Sequence, residues 1–418
     1  MNELTEQTIR KEVRSWLTEN WDPELNLLEW RSLLADSGWG VPGWSKKWYG
    51  RDLPINLVQV VQEEIRNHGA VGVAQSGVRM LAAATLLEHG SESQNKTYLH
   101  RILTGQDNWC QLFSEPGSGS DLAGLTTRAD QDGDRWIING QKVWTTSAHH
   151  AEFGLLLART DWDVSKHLGL SYFIIEIDQP GIEVRPLRQM NGHASFNEVF
   201  MTDASVPADM LVGTLNQGWQ VAMTTLAHER RSADGMRQVG NSTRGKGNIF
   251  KELEAETRIV MEPYTWYPQR AGRADLMVER AKKTDTFNNS VVRQELAKTL
   301  TLHKASQWTA RRAREAQMLG RPQGPEGSLG KLAASHVARA ASRVHTLISG
   351  ADSMLKGEDG PEKGIIAEIL LSVPAVSIAG GTDEIQRNII SERVLGLPKE
   401  PRTDTGRPFR DVPRNLGS

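Results

Sequence analysis

Apolar side chains change their spacing twice along this chain. In residues 1 to about 108 they recur every three or four positions, as in Ile9, Val13 and Leu17, which predicts amphipathic helices. From about 109 to 207 they form short runs with Gly and Pro at the borders, which indicates strands. Helical spacing then returns. The chain is therefore predicted to run from helices through a β segment and back to helices.

The predicted β segment contains a strong turn signal. RWIINGQKVWTT reads as two strand-like runs joined by Asn139-Gly140, a pair that tolerates the positive φ of a tight hairpin. FGLLLART, LSYFIIEI and GIEVRPL extend the series of strands. Together these runs predict a small β barrel or sandwich.

The last third of the chain is predicted to be helical up to a short tail. Long helices are expected at 216–231, 292–318 and 328–349, where apolar residues keep a helical spacing. The tail from about 396 is rich in Pro, Arg and Gly, and we expect it to wrap a neighbour or to be partly disordered. The predicted class is α+β. The predicted domains are 1–108 (helical), 109–212 (β), 213–395 (helical) and the tail 396–418.

Composition excludes several classes of protein. Hydrophobic residues make up 38% of the chain, charged residues 24%, and the net charge is −2, values typical of globular proteins and not of disordered chains or nucleic-acid binders. Cys110 is the single cysteine, so neither an internal disulfide nor a multi-thiolate metal site is expected. No apolar run resembles a signal peptide or a membrane span. We therefore expect no metal, no membrane partner and a cytoplasmic location.

A glycine-rich motif opens the β segment. QLFSEPGSGSDLAGLTTRA begins at Gln111, and a lone GSGSD is most often a surface turn. WIINGQKVWTTSA follows closely and adds a second hydroxyl-bearing strand end. Ser114 and Thr146 then flank Trp144, and a planar ring with hydrogen-bonding edges would fit between such groups.

At these motifs the chain resembles the acyl-CoA dehydrogenase family. The resemblance continues through FNEVFMTDASVPADMLVG, NQGWQVAMTTLAHER and AGGTDEIQRNIISERVLGLP, in the family's order and spacing. It implies an N-terminal helical domain, a middle β domain and a C-terminal four-helix domain, with FAD between the last two. It also implies α,β-dehydrogenation of an acyl-CoA thioester, with electrons passed to an electron-transferring flavoprotein.

The resemblance assigns individual residues to the cofactor and the substrate. Ser120 matches the position that lines the pantetheine arm, while Trp136 and Trp219 are expected in the core. A packing role remains open for each assigned residue. The residues implied to contact FAD are Gln111, Phe113, Ser114, Trp144, Thr146 and Thr382.

The general base is the least obvious assignment. Removing the weakly acidic α proton of a thioester requires a positioned base, and in many relatives it is a carboxylate just before a Gly-Thr pair. Here that position is Gly380. A second branch, resembling isovaleryl- and long-chain-type enzymes, carries its glutamate on the first helix after the β domain, and Glu229-Arg230 matches that branch. Glu229 is the predicted base; Asp383, Glu384 or a residue of a partner subunit are the alternatives.

The AGGT loop also bears on the substrate. Ala379 and Gly380 carry little or no side chain, which predicts room for a branched, cyclic or otherwise bulky acyl group. A backbone N–H near Gly380 is expected to bind the thioester oxygen. The predicted substrate-binding residues are thus Ser120, Arg230 and Gly380.

The chain departs from the family where relatives carry Arg-x-x-Phe-Gly against the neighbour's FAD adenine. Lys283 and Phe287 stand at roughly that distance before Arg293, but the glycine is absent and the segment 240–285 looks inserted. Either a homo-oligomer (dimer or tetramer) has a modified adenine site, or a related subunit completes it in a hetero-oligomer. A flavin oxidase or monooxygenase, and a non-catalytic subunit, remain alternative functions.

Overall fold

The computed structural model describes residues 5–74, 77–236, 245–319, 321, 324, 326–401 and 404–413, with the side chains of 230–236, 317, 318 and 326 outside the description. Within these residues the helices are α1 (Glu6–Asn20), α2 (Leu27–Asp36), α3 (Ile55–Asn67), α4 (Val78–His89), α5 (Glu92–Thr104), α6 (Gly218–Met236), α7 (Asn248–Met261), α8 (Tyr267–Arg270), α9 (Met277–Lys283), α10 (Ser290–Met318), α11 (Glu326–Ser349), α12 (Ile365–Ser372) and α13 (Asp383–Arg393). The strands are β1 (Trp109–Leu112), β2 (Arg128–Asp132), β3 (Arg135–Thr146), β4 (Phe153–Arg159), β5 (Leu170–Glu176), β6 (Ile182–Leu187), β7 (Phe196–Pro207) and β8 (Leu211–Val212). The predicted order of helices, strands and helices is confirmed.

The N-terminal helices pack around a tryptophan-rich core. Ile9, Val13 and Leu17 of α1 are buried, as their spacing predicts. They face Trp30, whose side chain is fully buried and whose indole N–H donates to the carbonyl of Val71 at 2.6 Å. The side chains of α1, α2 and α3 thus share one core.

One eight-stranded sheet forms the middle of the molecule. Its order is β6-β7-β3-β2-β4-β5-β8, with β1 pairing β4 in parallel. Leu155 and Leu157 of β4 pack against the helices, whereas Leu156 and Ala158 pack on the other face of the sheet. Burial on both faces explains why FGLLLA is a continuous apolar run instead of an alternating one.

The hairpin predicted at Asn139-Gly140 is wrong. β3 runs unbroken from Arg135 to Thr146, and the hairpin turn lies at Gly133, between β2 and β3. Asn139-Gly140 instead marks a register shift in the pairing of β3 with β7. A Cβ on Gly140 would lie 2.5 Å from the hydroxyl of Thr127, so the glycine permits a close approach of two strands and not a turn.

The C-terminal helices divide into two groups. α11 packs against α10 and α13, whereas α6 packs against α4 and β5. α7 is tied to the N-terminal helices by Glu256, which pairs with Arg31 at 2.6 Å and Arg79 at 2.7 Å. Both arginines are buried, so α7 is held firmly on the N-terminal half. None of the described helices is long and apolar enough to cross a membrane.

The described part of the tail packs on its own chain. Phe409 is 1% exposed and contacts the loop between β4 and β5. Residues 404–413 are therefore ordered against their own chain, and the expectation that the tail wraps a neighbour stays a prediction. Phe409, an aromatic residue in a segment rich in Pro and Arg, anchors the tail.

Candidate active site between the sheet and helix α6

Helix α6 holds Glu229 against the sheet. The helix begins at Gly218, where a Cβ would lie 2.4 Å from the carbonyl carbon of Ser171 in β5, so glycine lets the helix start directly on the strand. About two turns on, the hydroxyl of Thr225 bonds that of Tyr172 at 3.0 Å. Glu229 follows Thr225 by four residues and so lies on the same face of the helix.

Gln111 meets Glu229 across the interface. Trp109 and Phe113 of this segment are buried in the helical core, while Cys110 between them is buried in the core on the other face. Strand alternation therefore directs the side chain of Gln111 toward the helices. Its amide nitrogen donates to Oε2 of Glu229 at 3.4 Å. The predicted base and a predicted cofactor residue are thus brought together.

A small cleft of about 40 Å³ lies near this contact. It is bordered by the start of α4, the start of β1, the end of β3 and the end of α7. Trp109 and Thr146 lie on its sheet side, and Tyr264 lies on its helical side. The cleft therefore reaches from the predicted cofactor strands to Tyr264, which interacts electrostatically with Glu229.

An aromatic segment that sequence reasoning missed forms the helical side of the cleft. Tyr264 lies in the short 3₁₀ turn after α7 and packs edge-on against Tyr267, with ring centroids 4.9 Å apart. Burial raises the pKa of the Tyr264 phenol, and Tyr267 and the negative charge of Glu229 raise it further. The pKa of Tyr267 is also raised, mainly by burial and in part by Glu229. The aromatic density of EPYTWYPQR, within the segment that looked inserted, is the signal that could have found these residues.

The end of β3 presents an exposed aromatic surface beside β1. The backbone N–H of Val143 donates to the carbonyl of Ser114 at 2.9 Å, which joins the two predicted cofactor segments. Trp144 is 56% exposed with a φ of 61°, a conformation that bulky residues rarely adopt and that often marks a functional site. Its ring contacts Phe196 edge-on, at 5.7 Å between centroids. Thr146 is half-buried beside it.

These residues fit a planar cofactor. Ser114 and Thr146 offer half-buried hydroxyls, and the exposed ring of Trp144 offers a flat face. In addition, the hydroxyl of Thr145 and the side-chain oxygen of Asn197 are buried without a hydrogen-bond partner. A ring system with donors and acceptors at its edge would match such a surface.

A buried ion pair supports the sheet side of the cleft. The ammonium of Lys142 is fully buried and donates to the carbonyl of Phe113 at 2.9 Å and to Glu115 at 3.0 Å. Glu115 also accepts the backbone N–H groups of Thr126 and Thr127. Burial alone would raise the pKa of Glu115, but Lys142 and these donors lower it to about 2. The pair stays ionised and ties β1 to β3.

Other predicted site residues lie apart from Glu229 in the described contacts. The hydroxyl of Thr382 accepts the N–H of Ile385 and caps α13. Gly380 is exposed, with a φ of 69°, and its carbonyl accepts from Gln386. Ser120 is exposed in the loop after β1. Their predicted contacts with cofactor and substrate stay predictions.

Arg230 and the alternative bases have different settings. Arg230 follows Glu229 in α6, but its side chain lies outside the described residues. Asp383 is buried and bonded to Ser335, Lys331 and Arg339. Although burial opposes it, these partners lower the pKa of Asp383, which gives it a structural role at the start of α13.

Two further expectations concern the core and metals. Cys110 is fully buried, and burial raises the pKa of its thiol, as expected of a small core hydrophobe. Trp136 is 6% exposed and packs in the sheet core, as expected. Within the described ranges, no cluster of three His, Cys, Asp or Glu side chains could hold a metal ion.

Known proteins resemble the chain over its whole length. Three family models match it: the acyl-CoA dehydrogenase N-terminal domain at residues 1–106, the middle domain at 110–204 and the C-terminal domain at 269–395. Acyl-CoA dehydrogenase IpdE1 of Mycobacterium tuberculosis is 34% identical over 95% of this chain and 99% of its own length.

Solved structures agree on the fold. A variant of Tcur3481-Tcur3483 steroid ACAD superimposes with a TM-score of 0.64 at 25% identity, covering 94% of this chain and 99% of its own. The ChsE4-ChsE5 complex from Mycobacterium tuberculosis superimposes with a TM-score of 0.61 at 22% identity, covering 96% and 100%. With its three domains in order and a full-length relative above 30% identity, the chain belongs to the acyl-CoA dehydrogenase family, whose members are flavoprotein oxidoreductases that act on acyl-CoA.

Proposed function

We propose that the chain is an FAD-dependent dehydrogenase of a bulky acyl-CoA thioester, with Glu229 as the general base. The observation that carries the proposal is the contact between Glu229 and Gln111, 3.4 Å apart. It joins the carboxylate of α6 to the strand that carries the cofactor motif. A cleft between the strand ends and Tyr264 lies near the pair, and the phenol of Tyr264 responds to the charge of Glu229.

FAD would be held by Gln111, Phe113, Ser114, Trp144 and Thr146. Trp144 would cover one face of the ring, and the hydroxyls of Ser114 and Thr146 would bond its edge. When bound, FAD supplies the acceptor for the hydride that leaves the β carbon. The two hydrogens of the dehydrogenation would thus have different acceptors, one being the cofactor and the other Glu229.

Glu229 takes the α proton onto a carboxylate oxygen. Gln111 holds that carboxylate at the sheet surface by its amide N–H. A base held in a fixed position increases the rate, because the proton, the base and the acyl chain are aligned before the reaction begins. Tyr264 and Tyr267 exclude water from the helical side, and Ser120 and a backbone N–H near Gly380 bind the thioester arm.

A bulky acyl group is the proposed substrate. Gly380 has no side chain and Ala379 has one methyl group, and both are exposed, so neither fills the site that a carboxylate occupies in many relatives. A steroid ACAD is among the similar solved structures, which supports a bulky acyl group. Electrons are proposed to pass to an electron-transferring flavoprotein.

The C-terminal helices are proposed to pack against another chain. Trp308 on α10 is 63% exposed, and Met354 and Ile378, in the segments that follow α11 and α12, are 74% and 64% exposed. Exposed apolar surface of this kind often marks an interface. Lys283 and Phe287 are exposed near the start of α10, where they could reach a neighbour's cofactor. Light scattering of the chain expressed alone would distinguish a homo-oligomer from a subunit that needs a related partner.

The test of the proposed function is anaerobic flavin reduction. The purified protein is reconstituted with FAD and mixed with straight, branched and polycyclic acyl-CoA thioesters. We expect loss of flavin absorbance with bulky thioesters and formation of an α,β-unsaturated product. No bleaching with any thioester would overturn the proposal. Fast reoxidation of the reduced protein by air would indicate an oxidase instead of a dehydrogenase.

A further inference from the structure

The C-terminal tail makes a continuous set of contacts with the loop between β4 and β5. The backbone N–H of Phe409 donates to the carbonyl of Val164 at 2.8 Å, and that of Arg410 donates to Trp162 at 3.1 Å. Asp404 pairs with Lys166 at 2.6 Å. Polar contacts therefore hold the tail at both its ends, and Phe409, 1% exposed, fills the space between them.

Arg159 connects the tail to the glycine-rich loop. Its guanidinium is fully buried, and the guanidinium carbon lies 3.4 Å from the centroid of the Phe409 ring. The same guanidinium donates to the carbonyls of Ala123 at 2.6 Å and Leu125 at 3.1 Å. It also donates to the carbonyl of Lys166 at 3.1 Å. One buried cation thus joins the tail, the end of the glycine-rich segment and the β4–β5 loop.

Lys166 makes a second connection. Its ammonium lies 2.9 Å from Asp121 and 2.6 Å from Asp404, and its side chain is only 15% exposed. Burial opposes its charge, but the two carboxylates outweigh burial and raise its pKa. Asp121 directly follows Ser120 in GSGSD, and its carbonyl accepts from the hydroxyl of Ser118 at 2.5 Å. The loop that carries Ser120 is held from within by Ser118 and from outside by Lys166.

We propose that residues 404–412 are a strap that positions the Ser120 loop for the pantetheine arm of the substrate, with Phe409 and Asp404 as positioning residues. The inference rests on the proposed function, which assigns Ser120 to that arm. Phe409 contacts no reacting group; it acts through Arg159 and the carbonyls that Arg159 holds. Loss of the strap removes the tail contacts of Arg159 and Lys166, the two side chains that hold the loop at Ala123, Leu125 and Asp121. The loop is then less well positioned, so the binding of the CoA portion weakens while the chemistry at Glu229 is unchanged.

If the strap positions only the part of the site that binds CoA, its loss should raise KM and leave kcat unchanged. In full-length FAD-loaded protein, Phe409→Ala is expected to raise KM for an acyl-CoA about tenfold, which corresponds to about 1.4 kcal/mol, with kcat unchanged. The same acyl group on N-acetylcysteamine, which lacks most of the pantetheine arm, should show an unchanged KM. Asp404→Ala, which removes one ion pair and leaves the apolar anchor, should give a smaller shift in the same direction. Thr405→Ala, an exposed neighbour in the strap, is the matched control.

Three results would overturn the strap. One is an unchanged KM in both Phe409→Ala and Asp404→Ala. Another is an equal rise in KM for the CoA and N-acetylcysteamine thioesters, which would indicate general damage. The last concerns free CoA, whose binding is measured by calorimetry without any turnover: equal affinity in wild type and Phe409→Ala contradicts the strap even if no thioester is dehydrogenated. Absence of turnover with weakened CoA binding would count against the proposed function alone.

Discussion

The two sides of the cleft are built in different ways. The sheet side consists of two strand segments joined by a backbone hydrogen bond from Val143 to Ser114 and by the buried pair Lys142–Glu115. The helical side consists of side chains from separate segments. Tyr264 after α7 lines the cleft, and Glu229 on α6 meets the sheet through a long hydrogen bond from Gln111. A rigid sheet suits a cofactor that stays in place, whereas side chains on separate segments can be adapted to one substrate. We therefore expect changes on the helical side to alter turnover and selectivity, and changes on the sheet side to alter stability and flavin retention.

The largest expected effect comes from Glu229→Gln on the helical side. Loss of a general base lowers the rate of flavin reduction by about 10² to 10⁴-fold, while flavin binding is retained because the sheet side is untouched. Anaerobic stopped-flow absorbance measures the rate, and the flavin spectrum measures retention. Glu384→Gln, at a side chain 75% exposed and paired with Arg387, is the matched control and should reduce flavin at the wild-type rate. A wild-type rate of flavin reduction in Glu229→Gln would show that another residue is the general base.

Glu115→Gln tests the sheet side. It leaves the buried ammonium of Lys142 without an opposite charge, which costs about 3–5 kcal/mol of unfolding free energy. Chemical unfolding followed by circular dichroism measures the loss, and we expect release of flavin at lower denaturant. Glu183→Gln breaks an exposed pair with Arg185 and should change the free energy by less than about 1 kcal/mol. Equal stability of the two variants would contradict the supporting role of the buried pair.

The low pKa of Glu115 predicts that the protein loses stability in acid. The pKa of Glu115 is about 2 in the folded protein and 4.5 as its ordinary value. Between these values the unfolded chain binds a proton that the folded protein does not, so stability falls as pH drops from 4.5 toward 2. Linkage gives a contribution of up to about 3 kcal/mol, fully present above pH 4.5. Unfolding at a series of pH values should therefore show a shallower acid slope in Glu115→Gln than in the wild type; equal slopes would contradict the ionised pair.

The smallest of these effects is expected at Tyr264. Tyr264→Ala opens the helical side of the cleft and should shift the ratio of kcat/KM between a larger and a smaller acyl-CoA about tenfold toward the larger one. Tyr264→Phe keeps the ring and should leave this ratio unchanged. A shift in Tyr264→Phe equal to that in Tyr264→Ala would show that the hydroxyl, and not the ring, sets selectivity.

The sheet side could be predicted from sequence more fully than the helical side. Gln111, Ser114, Trp144 and Thr146 lie in two short motifs that are close in sequence, and a backbone hydrogen bond from Val143 to Ser114 joins the two segments. Glu229 could be predicted because a helix directly follows the strands. The prediction of a hairpin at Asn139-Gly140 was wrong because Asn-Gly is typical of a tight turn, whereas here the glycine is needed for the close approach of Thr127.

The remaining contacts depend on long-range packing. Tyr264 lies beside Glu229 only because Glu256 ties α7 to Arg31 and Arg79, residues about 180 to 225 positions away in sequence. Phe409 likewise reaches Arg159 through a fold that brings the tail back to the sheet. Neither contact leaves a periodic pattern in the chain, so local spacing could not reveal them.

The central claim is that Glu229 and the strand ends of β1 and β3 form one acyl-CoA site. A crystal structure of the protein with FAD and a non-reducible acyl-CoA thioether tests it most directly. The account predicts a Glu229 carboxylate oxygen about 3–3.5 Å from the α carbon, with the flavin ring between that carbon and Trp144. A thioether whose α carbon lies beside another carboxylate, or a flavin remote from Trp144, would contradict it.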